Sequence, residues 1–157
     1  MNSLLDFEGD LLLCDTPDGG DIIIDNGLLL SEKQFSTAVY LSIFGGNKDD
    51  AGKVKSSNEW WGNKINNITE NEKLRSRFQN IIFGLPMTVK NIREAESAAE
   101  QDLKWFIQEK IADEINIYGQ ATGKNMFNLK IEIKKDVLTL FENTYSLLWG
   151  AGNVSTV

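Results

Sequence analysis

Histidine is absent from these 157 residues. That removes the commonest general base and the commonest metal ligand, so Ser-His-Asp, Cys-His and His-zinc chemistry are excluded. Cysteine occurs once, at Cys14, so no intrachain disulfide can form and the chain suits a reducing compartment. Within Leu11-Leu12-Leu13-Cys14 the thiol reads as a small buried hydrophobe, because nothing nearby supplies a base to ionise it. No apolar run approaches the ~20 residues that a membrane span needs. The first ten residues lack a basic region and turn acidic at once, so no signal peptide is expected. Positive charge is also scarce: 16 Lys and Arg face 23 Asp and Glu, for a net charge of -7 and a pI near 4.6. That balance argues against a nucleic-acid surface and against anionic membranes.

What is present is ordinary for a globular protein, with 41% hydrophobic and 25% charged residues. The length suits a single domain over 1–157. The dominant pattern lies between Thr88 and Asp113. There Ile92, Ala95, Ala99, Leu103, Phe106, Ile107 and Ile111 recur at steps of three and four. This places them on one stripe of a helix. Lys90, Arg93, Glu94, Glu100, Gln101 and Lys104 fall on the opposite, solvated side. At about 1.5 Å per residue such a helix would run roughly 39 Å. Ile92, Leu103 and Phe106 are expected to be deeply buried. Trp105, with Ala98 near it, lies off the stripe and calls for a second packing layer or an interface.

Upstream, Asp10 to Cys14 and Asp21 to Asp25 read as strands joined by turn formers. Asn26-Gly27 before Leu28 to Leu30 is a hairpin signal, since a type I′ turn needs positive φ at both central residues. A small antiparallel meander is expected. Ser31 to Gln34 has capping-box form and predicts a helix that stops at Gly45-Gly46, favoured over the strand that the alternation of Val39, Leu41 and Ile43 would suggest. Residues 47–71 form a long polar loop holding Trp60-Trp61-Gly62. Two adjacent tryptophans in a polar loop either plug the edge of the core or serve a protein contact, where Trp is enriched among hot spots. Glu72 to Phe83 predicts a short helix, broken at Gly84-Leu85-Pro86. Glu114 to Tyr118 predicts a strand and GQATGKN a turn. Met126 to Lys134 predicts a half-buried strand with Phe127, Leu129, Ile131 and Ile133 inward. Val137 to Leu148 predicts a last strand, and 150–157 a flexible tail. The fold class is α+β: antiparallel β-meanders packed against one long helix and one or two shorter ones.

No stretch presents a convincing catalytic arrangement. Gly119 to Lys124 fails as a phosphate loop, because three residues rather than four separate its glycines and Asn125 follows the lysine. Asp15, Asp18, Asp21 and Asp25 lack the spacing of a calcium loop and read as turn residues. Asp49, Asp50, Glu94, Glu96 and Glu100 are available as carboxylate pairs, but each falls in a loop or on a solvated helix face. No enzyme activity, metal or cofactor is expected.

Three segments, in order, resemble the small baseplate wedge protein family of Mu-like contractile-tailed phages and prophages. The first is GGDIIIDNGLLL followed by STAVYLSIFGG, with Thr37-Ala38-Val39 and Ser42-Ile43-Phe44 in the family's places. The second is Trp60-Trp61-Gly62, similar to the family's Gly-Trp-Trp-Gly with Glu59 at the first position. The third is Ala99 to Ile107, similar to its Ala-x-x-x-Leu-x-Trp-Leu segment. The family's Gly-Ser-x-Leu-Trp stretch has only Ser76-Arg77-Phe78 in a similar place, and its Asp/Arg-rich run is replaced by NKDDAGK. The resemblance implies a structural virion component that assembles in the host cytoplasm and resides in the tail baseplate. Its partners would be other wedge and sheath-linked proteins, with Trp60, Trp61 and Trp105 as the aromatic anchors. A cell-wall glycosidase-type enzyme, or a soluble adaptor outside the virion, stands as the alternative.

Overall fold

A computed structural model describes residues 10–11, 13–16, 19–22, 24–29, 31–32, 35–45, 61–64, 69, 73–150 and 154–156. The fold is α+β. The chain divides into two compact units, Met1–Tyr40 and Leu41–Val157.

The first unit is built from short antiparallel pairs. Strand β1 (Asp10–Leu11) pairs with β6 (Ser31–Glu32). Strands β2 (Leu13–Thr16) and β3 (Gly19–Ile22) form a hairpin, as do β4 (Ile24–Asp25) and β5 (Leu28–Leu29). Asn26 and Gly27 both take positive φ, 50° and 78°, as the expected type I′ turn requires. Ser31 does not cap a helix. It lies in β6, and helix α1 (Ser36–Phe44) begins five residues later. Its first turn closes on the carbonyl of Phe35. Local capping chemistry lost here to strand pairing, a non-local term invisible to a four-residue motif.

The second unit carries a four-stranded antiparallel sheet in the order β10-β9-β8-β7. These are β7 (Glu114–Gly123), β8 (Met126–Lys135), β9 (Leu138–Leu148) and β10 (Val154–Thr156). Phe127, Leu129, Ile131 and Ile133 are all fully buried on one face of β8, as their alternation demands. Strand β7 runs past Tyr118 to Gly123, so the stretch expected as a turn is mostly ladder. Only Lys124 and Asn125 turn, with Asn125 at φ 61°. The segment expected as a loose tail supplies β10, paired to β9 from Val154↔Leu147 to Thr156↔Tyr145.

Helix α2 spans Arg77–Gly84 rather than starting at Glu72. Its N-cap is Ser76, whose hydroxyl accepts the Gln79 N–H at 3.1 Å. Such a cap typically contributes about 1 kcal/mol. The principal helix α3 (Val89–Leu103) starts at Thr88, which accepts the Asn91 N–H at 3.2 Å. It packs against α2 and β7. It does not reach Asp113. At Lys104 the hydrogen bond tightens to the Gln101 carbonyl, and a short helix α4 (Trp105–Gln108) follows. Lys110 then takes φ 58°. Ile111 N–H returns to Phe106 O and Lys110 N–H to Ile107 O, the pairing of a Schellman stop. That stop normally uses glycine; a lysine holds the position here, so composition conceals it.

The buried face of α3 is also rotated from the expected stripe. Ala95, Ala98, Ala99, Leu103 and Phe106 are buried, whereas Ile92 is only partly buried and Ile107 is 37% exposed. Because α2 packs beside α3, Ala98 joins the core and Ile92 moves to its rim. The three alanines let the backbones approach. An aromatic chain fills the remaining volume: Phe44 meets Phe78 and Tyr145 edge-on, and Phe127 meets Trp149 at 5.2 Å and 87°. These are the favoured quadrupole geometries.

Candidate functional site

A buried polar cluster lies where α1's last turn, the start of α2 and the end of α3 meet. Ser76 is fully buried and donates its hydroxyl to the Ile43 carbonyl. The Asp102 carboxylate accepts the Phe78 N–H at 2.9 Å and lies 3.5 Å from Ser76 Oγ. Burial raises the Asp102 carboxyl pKa to about 7, against the lowering pull of the Phe78 and Arg77 N–H groups and of the Arg77 charge. Loss of hydration outweighs the hydrogen bonds here, since only the charged form suffers it fully. The Arg77 guanidinium donates to Gln101 Oε1 at 3.3 Å.

Trp105 sits beside this cluster. Its indole N–H donates to Ser42 Oγ at 3.0 Å, and its ring stacks on Phe106 with centroids 4.0 Å apart. Trp105 is partly buried. Its off-stripe position is therefore met by a second packing layer, with α1's last turn supplying the hydrogen-bond partner.

The double-tryptophan motif leads into a single 3₁₀ turn, Trp61–Lys64. Asn63 is buried there and clamps Leu74 from both sides: its Nδ2 donates to Leu74 O at 2.8 Å, and its Oδ1 accepts Leu74 N–H at 2.9 Å. Trp60 and the side chain of Trp61 lie outside the described residues. The structure thus joins Trp105 to the first family-like segment and fixes the backbone just after Trp61.

Two residues carry more than the sequence indicated. Glu96, expected on a solvated face, is partly buried and accepts the Gly119 N–H at 2.7 Å. Strand β7 is a sheet edge, so this bond satisfies an outward N–H that would otherwise invite another strand. Trp149, expected to lead into the tail, is 5% exposed and donates its indole N–H to Leu85 O at 2.6 Å. The alternation Tyr145, Leu147, Trp149 would have placed it inward. Nothing comparable marked Ser76 and Asp102, because their meeting depends on how three helices pack.

The outer sheet face is a charge ladder. Lys130 contacts Glu142 at 2.7 Å and Glu132 at 3.0 Å, and Lys134 contacts Glu132 at 3.0 Å. The hydrogen bonds that Lys130 donates to Glu142 and Glu132 raise its pKa, and those that Glu132 accepts from Lys134 and Lys130 lower its own. Solvent screens such pairs strongly. Among the described residues no group of acidic or thiol side chains is arranged to hold a metal ion, and no helix is long and apolar enough to cross a membrane. Gly119 lies in a sheet ladder opposite Leu129, a geometry unlike the helix-opening loop that cradles phosphate. Comparison with protein-family models, curated proteins and solved structures finds no match for the chain.

Proposed function

We propose that the chain is a structural component of a contractile phage tail, or of a prophage-derived tail, acting through protein–protein contacts in the baseplate wedge. The observation that carries this reading is the 3.0 Å hydrogen bond from Trp105 to Ser42. Two of the three stretches with wedge-family resemblance meet there, although 63 residues separate them. A likeness scattered by chance has no reason to converge on one junction; motif residues that build a shared scaffold do. The partners are other wedge and sheath-linked proteins, met during assembly in the host cytoplasm and kept in the tail baseplate.

Trp60 and Trp61 are the aromatic anchors in this reading, since such side chains carry much of the binding energy at interfaces. Trp105 has an internal hydrogen-bond partner, so its part is to hold the scaffold that presents them. The experiment is co-purification with assembled tail particles. Recovery of the chain in intact tails supports the reading, and its absence from them removes it.

A further inference from the structure

Ser76 has one hydroxyl proton and two acceptors in reach. The Ile43 carbonyl belongs to the last turn of α1, and Asp102 Oδ2 belongs to α3, 3.5 Å away. The same oxygen is committed as acceptor to Gln79 N–H, so the residue cannot turn away without losing the α2 cap. A hydroxyl donates once. It follows the stronger acceptor, and a carboxylate is stronger than either a carbonyl or a neutral acid.

We propose that Ser76 is a proton-directed latch: with Asp102 neutral it holds the end of α1 through the Ile43 carbonyl, and with Asp102 ionised it turns to α3 and releases that carbonyl. Ionisation sends the Asp102 proton to solvent, and no covalent bond changes among the other groups. Phe78 N–H stays on Oδ2 in both states, which keeps the carboxyl in place. From α2 the charged neighbour is Arg77, engaged with Gln101. From α1 the neighbour is the Ile43 carbonyl, reached through Ser76, and a backbone carbonyl does not titrate. Burial puts the Asp102 pKa at about 7, where a small pH change redistributes the two states.

The test is carbon NMR on the full chain, following the Asp102 carboxyl and the Ile43 carbonyl shifts from about pH 5 to about pH 9. Both should move with one midpoint in the parent protein. In Asp102→Asn the Ile43 shift should stay flat. An Ile43 carbonyl that ignores the Asp102 midpoint, or an Asp102 that does not titrate in this range, overturns the latch. So does an Ile43 shift that still titrates in Asp102→Asn. If that variant does not fold, the two parent curves decide alone.

Discussion

The ring of Phe127 stands where a side chain at Gly119 would have to be. A Cβ there would lie 2.7 Å from Phe127 Cζ and 3.0 Å from Glu96 Cγ. Glycine thus lets the β8 aromatic lie across the edge strand while Glu96 takes the edge N–H. Gly119→Ala should lower stability by about 1 to 3 kcal/mol, the usual cost of overpacking. Urea denaturation measures it; an unchanged midpoint would show that the ring yields freely.

The Trp105–Ser42 bond is measurable by a double-mutant cycle. Trp105→Phe and Ser42→Ala should each cost about 1 kcal/mol, and the double variant clearly less than their sum. Strict additivity in chemical denaturation would show that the two groups are not coupled.

Asp102 gives a pH dependence of stated sign. Its folded pKa, about 7, exceeds the ordinary aspartate value of 3.8. The native state therefore keeps a proton that the unfolded chain has lost. Its contribution to stability is whole below about pH 4 and declines as pH rises to about 7, by up to about 4 kcal/mol. Asp102→Asn should flatten that slope, and thermal midpoints across the range report it. Glu132 acts oppositely: its lowered pKa adds stability that is lost as pH falls below the ordinary carboxylate range.

Trp149 closes the aromatic chain and reaches Leu85. Trp149→Ala should cost about 3 to 5 kcal/mol. Trp149→Phe should keep the aromatic contact with Phe127 but lose the hydrogen bond and part of the buried ring, about 1 to 3 kcal/mol. If both variants keep the parent's denaturation midpoint, this end of β9 carries no core.

Trp60→Ala and Trp61→Ala separate binding from folding. As interface anchors they should reduce incorporation into tails at least tenfold, a hot-spot loss of about 1.4 kcal/mol or more, while the isolated protein keeps its denaturation midpoint. Quantifying the chain in purified particles checks this; normal incorporation of both variants would sink the anchor role.

Much of the fold was legible because its signals are local. Asn26-Gly27 demanded positive φ, the steps of three and four from Thr88 marked a helix, and the period of two in β8 assigned four buried side chains. The candidate site was legible only at Trp105, a large aromatic off its helix stripe. Its partner Ser42 was not, since nothing near Ser42 in sequence refers to residue 105. Helix ends misled for the same reason: Lys110 stops a helix as glycine would, and Ser31 resembles a cap while pairing as a strand.

The helix from Thr88 was the strongest pattern in the chain, and local residue patterns set its start, its amphipathic character and the α+β class. Those properties follow from side-chain period and backbone chemistry within a few residues. Tertiary structure alone decided where the helix ends, that Ala98 rather than Ile92 faces the core, and that Asp102 is desolvated beside Ser76. Each of these depends on which surface packs against α3, a choice made by distant residues competing for the same buried volume.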